Sequence, residues 1–151
     1  GTNFPVSAGA FQTAKGGSYD AFVTKLTPDG TGIVYSTYIG GRGGELLGGM
    51  AIDNGGNVYL GGTTSSVDLP VKNAFQQANR GGADLGSDSF VLKLDSTGAD
   101  LVYSTYLGGN QDEIAGGIGE HLERLAVRAF DDEQRAADVV DADDAGMDEA
   151  G

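Results

Sequence analysis

Val34-Tyr35-Ser36-Thr37-Tyr38-Ile39-Gly40-Gly41 returns, 68 residues later, as Val102-Tyr103-Ser104-Thr105-Tyr106-Leu107-Gly108-Gly109. The same offset carries Ala21-Phe22-Val23-Thr24-Lys25-Leu26 onto Ser89-Phe90-Val91-Leu92-Lys93-Leu94, Glu45 onto Glu113, and Gly48-Gly49 onto Gly116-Gly117. Upstream, Phe4-Pro5-Val6 with Ala10-Phe11-Gln12 returns as Leu69-Pro70-Val71 with Ala74-Phe75-Gln76 at an offset of 65 or 64, so a few extra residues sit near Ala83-Asp84-Leu85. An internal period of this length marks a repeat architecture, in which each unit needs a neighbour to bury its apolar face.

The repeating segments read as strands. Ala21–Leu26 and Ile33–Ile39 are rich in β-branched and aromatic residues, and Thr27-Pro28-Asp29-Gly30-Thr31-Gly32 between them is a turn. Proline presets φ there and glycine supplies positive φ. Residues 50–53 and 57–62 form a second hairpin around Asn54-Gly55-Gly56, and the Gly-rich stretch 40–49 links the two. Residues 89–94 and Leu101–Leu107 repeat the first hairpin, with Phe22/Phe90 and Tyr35/Tyr103 expected in equivalent environments. Tyr35 and Tyr38, three apart, point to opposite faces of their strand, so both faces carry a large apolar body. A sheet covered on both sides fits a propeller blade packed between neighbours. One blade would use 50–53, 57–62, 89–94 and 101–107. The excursion over 63–88 is long for a structureless loop and is expected to be pinned by Leu69, Val71 and Phe75.

The repeat runs to Ile118 and stops, in the middle of an expected strand. Residues 1–118 form the repeat region; residues 119–151 form a non-repeat acidic tail with eleven acids and three bases. In the tail Leu122, Leu125, Ala126, Ala129 and Phe130 fall at helical spacing, and Glu120/Arg124 and Arg128/Asp132 are i,i+4 pairs, which predicts a helix over about 120–138. Asp141-Ala142-Asp143-Asp144-Ala145-Gly146 beyond it lacks large apolar residues and reads as disordered. The composition of 119–151 is what out-of-frame reading of GC-rich DNA would give; the rival reading is a C-terminal cap on the open sheet.

The repeated elements resemble the seven-bladed β-propeller (SBBP) repeat family of bacterial and archaeal surface proteins. The resemblance rests on Asp20-Ala21-Phe22-Val23-Thr24-Lys25-Leu26, Val34-Tyr35-Ser36-Thr37-Tyr38-Ile39-Gly40-Gly41, Asp53-Asn54-Gly55-Gly56-Asn57-Val58-Tyr59, Phe4-Pro5 and Phe75-Gln76, in that family's order, over residues 1–118. It implies an all-β fold of antiparallel β-propeller-type blades, about one and a half of them here. It also implies a secreted or cell-surface scaffold joined to other modules, and brings no catalytic residues. The functional reading is a structural or interaction module whose partners are neighbouring blades or other protein modules. The alternative is a carbohydrate- or ligand-binding propeller using the 63–88 loop.

Other chemistries are weighed residue by residue. The formal net charge of −13 argues against nucleic acid, which calls for clustered Lys and Arg. Arg42-Gly43-Gly44 and Arg80-Gly81-Gly82 therefore read as turns, not RNA-binding elements. No apolar run is long enough for a membrane-spanning helix, so membrane insertion is not expected. The 27 glycines lack the three-residue period of collagen, and without cysteine there is no disulfide framework or thiolate metal site. No signal peptide is visible, and the chain starts at Gly1, so an upstream part is expected. His121, the sole histidine, lies outside the repeat, which leaves a Ser-His-Asp triad without its base. Asp112-Glu113 and Glu45 suit a glycosidase pair by chemistry, but Glu45 and Glu113 are one repeat position seen twice, and a repeated residue serves the repeat. No catalytic or cofactor-binding residue is assigned, and the chain is read as not an enzyme. Calcium is the one cofactor with candidate ligands, Asp53, Asn54 and Asn57, which set oxygens on one turn; the plain alternative is a turn that favours Asp and Asn without a metal. The acidic run from Asp141 mimics the start of an EF-hand but has Ala145 at a ligand position. The Tyr35/Tyr38 and Tyr103/Tyr106 stripes read as core in preference to a sugar-stacking surface.

Overall fold

A computed structural model describes residues 4–81, 86–112, 114–121, 124–130 and 136–140. Nine antiparallel strands are drawn among them in three sheets. The first sheet is a hairpin, β1 (Ala21–Leu26) with β2 (Ile33–Ile39). The second is a four-stranded meander, β3 (Glu45–Ile52), β4 (Val58–Thr64), β5 (Asp88–Leu94) and β6 (Leu101–Leu107), paired in chain order. The third is β7 (Ile114–His121), β8 (Arg124–Phe130) and β9 (Ala136–Val140).

The 68-residue period is a structural one. The hairpin β1–β2 slips register between Lys25 and Leu26, and β5–β6 slips between Lys93 and Leu94. The pair β3–β4 carries a bulge between Leu47 and Gly49, and β7–β8 carries one between Ala115 and Gly117. A bulge adds local twist and fixes where the strand bends, so its return at the same position identifies β7 as the counterpart of β3. The first sheet is therefore the outer half of a blade, the second a whole blade, and the third begins a further one.

Adjacent sheets stack face to face. Ala21, Val23, Tyr35 and Ile39 of the first sheet share one core with Val58, Leu60, Phe90, Leu92, Leu94, Leu101 and Tyr106 of the second, and Leu69 joins them from the long connection. On the opposite face of the second sheet, Tyr59 and Val91 form a smaller cluster with Ala51, Tyr103, Leu107 and Ile118, and β7 lies over β3, β4 and β5. Gly61 makes that approach possible: a β-carbon there would sit 2.9 Å from two side-chain carbons of Ile118. Tyr35 and Tyr38 are both buried, as expected of a strand covered on two sides.

Several expectations are corrected. The link over 40–49 is only half a loop, because β3 begins at Glu45; Gly48 and Gly49 weaken strand propensity, but pairing with β4 and the bulge accommodate them. Among the described residues of 120–138 the expected helix is absent: 120–121 end β7, and β8 and β9 occupy 124–130 and 136–140. Leu125, Val127 and Ala129 alternate with Arg124, Ala126 and Arg128, so the segment also fits a two-residue period. The open edge of β7 offers backbone groups that a strand satisfies and a helix does not. The strand β7 crosses the 118/119 break without interruption. The acidic run over 141–151 lies outside the described residues. In the 63–88 excursion Leu69 is buried, but Val71 and Phe75 are exposed.

Candidate functional site

The chain's most repeated feature is also its least evenly covered one. Phe22, Leu26 and Ile33 are 51%, 53% and 44% exposed, whereas their counterparts Phe90, Leu94 and Leu101 are 0%, 0% and 3% exposed. The expectation of equivalent environments is thus wrong at Phe22/Phe90, and the reason is positional. The face of β5–β6 that holds Phe90 lies beneath β1–β2, while on the matching face of β1–β2 Phe4, its ring centroid 4.1 Å from Phe22 and 5.7 Å from Tyr38, lies against a buried Tyr38 but leaves Phe22 half exposed. Tyr35 is likewise buried against the following blade, where its counterpart Tyr103 is only partly buried. Phe11 packs on the core of the second sheet and its N–H donates to the Gly98 carbonyl at 2.9 Å, whereas its counterpart Phe75 is 88% exposed.

Polar side chains lock the segments that shape this face. Gln12 and Gln76 do the same work one repeat apart. The Gln12 backbone N–H donates to Thr37 Oγ1 and its carbonyl accepts from Tyr38, while Nε2 donates to Asp20 and Oε1 accepts from the Gly40 N–H. Gln76 bonds in the same way to Thr105, Tyr106, Asp88 and Gly108. Each glutamine straps its connection onto the outer strand of its own blade. The strap over 63–88 is completed by paired backbone bonds between Lys72 and Ser104. The Tyr106 hydroxyl donates to the Ser66 carbonyl and accepts from the Leu69 N–H, both at 2.9 Å.

Glu45 is buried at the crossover between blades. Its Oε1 accepts from the Thr64 and Ser66 hydroxyls and its Oε2 from the Gly41 N–H. Both oxygens are thus engaged in joining β3, β4 and the crossover, which is a structural use of the repeated glutamate. Its counterpart Glu113 lies outside the described residues, and Asp112 accepts from the Ser87 N–H. The arginine of 42–44 pairs with Asp68 at 3.3 Å, and the N–H groups of Arg42, Gly43 and Gly44 donate to Asp68, Ser66 and Ser65. This is a crossover turn, in line with its reading as one.

The calcium candidates sit on the β3–β4 turn. Asp53 Oδ1 accepts from the Asn57 N–H at 2.9 Å, and both carboxylate oxygens accept from Asn57 Nδ2. Lys93, reaching across from β5, places its ammonium 3.3 Å from Asp53 Oδ2 and over the Tyr59 ring at 4.7 Å. Asn54 is exposed. Asn57 therefore offers Asp53 donors, not a ligand oxygen, and the carboxylate is met by a lysine 40 residues away in the chain. Among the described residues no group of three or more His, Asp or Glu side chains is arranged to hold a metal. Burial raises the Asp53 pKa, but the Asn57 hydrogen bonds and Lys93 together outweigh it and hold the carboxyl at about 2, below its ordinary 3.8. A depressed carboxylate pKa stabilises the fold above pH 3.8, and that contribution is lost as pH falls through 2. Wild type should exceed Asp53→Asn in unfolding free energy by about 1 kcal/mol at pH 7, allowing for solvent screening. Urea titrations should show the gap closing by pH 2; a pH-independent gap would assign the effect to packing.

The sequence of sheets decides the relationship. The crossover from β2 to β3 leaves one blade and enters the next, so the stretch that repeats in sequence is not a blade but the joint between two. Residues 34–70 match the family model of the beta-propeller repeat. The matched repeat runs from β2, across 40–44, through β3 and β4 and into the strap as far as Pro70, so it spans two stacked sheets. No curated protein matches the chain. The matched stretch joins one sheet to the next, because its first strand, β2, belongs to the first sheet and its last two, β3 and β4, to the second.

Proposed function

We propose that this chain is a non-catalytic structural and interaction module of a propeller-type scaffold at the cell surface, with other blades or protein modules as partners. The observation that carries this is the contrast between Phe90 and Phe22. The same repeated face is sealed by a neighbouring hairpin at Phe90 and half exposed at Phe22. The polar groups support the same reading: buried Glu45 and Gln76 and half-buried Gln12 are consumed in joining segments. The 63–88 connection, the alternative site for a sugar, is strapped along β6 by Leu69, Lys72 and Gln76. The extracellular setting follows from the family resemblance.

A glycan array probed with the full chain tests the module reading against the sugar-binding one. The expected result is no saturable sugar binding. Saturable binding that is abolished by substituting exposed residues of the strap, such as Val71 or Asn73, would replace the module reading with the carbohydrate-binding one.

A further inference from the structure

We propose that Asn54 is a self-modification site: its side-chain amide is lost to attack by the backbone nitrogen of Gly55, which leaves an aspartyl or isoaspartyl residue at position 54. The inference is independent of the module reading above and draws on the turn between β3 and β4, which that reading leaves unused.

The turn is closed at its base and open at its tip. The Asp53 N–H donates to the Asn57 carbonyl at 3.1 Å, and the Gly56 N–H donates to the Asp53 carbonyl at 2.9 Å. Asn54 and Gly55 at the tip are both exposed. Among the described residues nothing accepts from the Gly55 N–H, and no hydrogen bond holds the Asn54 side chain. The side chain is therefore free to turn until Cγ meets the Gly55 nitrogen, and Gly55 has no β-carbon to bar the approach. The nitrogen bonds to Asn54 Cγ and gives its proton to solvent base. The Cγ–Nδ2 bond breaks, and Nδ2 leaves as ammonia with a proton from water. Water then opens the cyclic imide. Attack at Cγ gives the aspartyl form, and attack at the Asn54 backbone carbonyl carbon gives the isoaspartyl form, so the net change is water in and ammonia out. Either product sets a second carboxylate next to Asp53 in the chain, and the isoaspartyl form also lengthens the backbone of the turn.

Comparison within the chain singles this turn out. Asn-Gly occurs once in the sequence; Asn57, Asn73, Asn79 and Asn110 are each followed by a residue whose side chain shields its nitrogen. Nδ2 of Asn57 also donates to Asp53, that of Asn73 to the Val102 carbonyl, and that of Asn79 to the Thr64 and Ser66 carbonyls. Asp29-Gly30 is the nearest chemical relative, since an aspartyl side chain closes the same ring by losing water. There the Gly30 N–H already donates to the Thr27 carbonyl at 2.8 Å. The Asp29 carboxylate accepts from Thr27 Oγ1 and from the Thr31 N–H, bonds that favour its ionised form, a poor electrophile. Two glycine turns on one chain thus differ in whether the attacking nitrogen is free.

Mass spectrometry of the full chain, incubated at one mildly alkaline pH both folded in buffer and unfolded in guanidinium chloride, tests the proposal. Trypsin releases residues 43–72, which hold Asn54 and Asn57, and residues 26–42, which hold Asp29. In the folded chain the amide form of 43–72 should give way to two acid forms of equal mass, separable by chromatography. The rate should lie within about tenfold of that in guanidinium chloride, a barrier difference of about 1.4 kcal/mol. The peptide 26–42 should stay a single species in the folded chain. Asn54→Gln should abolish the acid forms. Gly55→Ala should slow their appearance at least about tenfold in both states. The unfolded state keeps that arm readable if the new β-carbon, 3.2 Å from Asp53 Oδ1 and from Asn57 Nδ2, disturbs the turn. Acid forms that persist in Asn54→Gln belong to Asn57 and overturn the proposal. Protection of Asn54 by the fold beyond about tenfold overturns it as well, as does conversion at Asp29 as fast as at Asn54.

Discussion

Phe90→Ala is expected to lower the unfolding free energy by about 3–5 kcal/mol, while Phe22→Ala, one repeat earlier, costs at most about 1 kcal/mol. The two residues share a strand position and a register, and a valine follows each, so local propensity largely cancels between them. What differs is the neighbour. Phe90 is fully buried under the first sheet, in a core with Leu60, Leu92, Leu94 and Tyr106. Its truncation opens a cavity that rigid strands on both sides cannot close. Phe22 has half its surface in water and Phe4 as its aromatic partner, so truncation forfeits part of one contact. Urea denaturation of the two variants, at a protein concentration low enough for monomers, checks the pair. Equal losses would mean that the first sheet does not cover the second.

The comparison also shows what the sequence could and could not reveal. The hairpins were legible because β-branched and aromatic runs bracket turns with a mechanism, and because they occur twice. The order of the four-stranded blade followed from that repetition. The length of β3 was not legible, since Leu46-Leu47-Gly48-Gly49 is a poor strand until β4 pairs with it. Residues 124–130 were misread because Leu125 to Phe130 satisfies both helical and strand periods; the edge of β7, a feature of tertiary structure, decides between them. Phe22 and Phe90 read alike because burial depends on which blade stands next in space. At the Asp53 turn the sequence displayed three oxygen-bearing residues side by side and hid Lys93, which arrives from another strand and takes the carboxylate. The glutamine straps were missed altogether, although the repeated Phe-Gln at 11–12 and 75–76 was in plain view. Only the fold shows that each glutamine faces an aspartate eight or twelve residues on.

Gly98→Ala should destabilise the chain by about 2–5 kcal/mol, and Gly30→Ala by only about 1–2 kcal/mol. Both glycines sit in the outer hairpin turn of a blade, and both have φ of 72°, a conformation that a β-carbon makes costly. That backbone term is therefore common to the two substitutions. Around Gly30 nothing lies within 4 Å of where the β-carbon would be. At Gly98 the new methyl would fall 2.3 Å from Tyr35 Cδ2. Tyr35 is buried and reaches this turn from the preceding blade, so it cannot swing into water, and the sheets must part or the ring must leave its rotamer. The excess cost at Gly98 over Gly30 thus reads the stacking of one blade on the next with backbone strain subtracted. Tyr35→Ala supplies the cross-check. In that background the clash disappears, and Gly98→Ala should cost no more than Gly30→Ala. A double-mutant cycle with no coupling between positions 35 and 98 would show that the two blades do not meet at this turn. A coupling of about 1–3 kcal/mol places the ring from one sheet against the turn of the next.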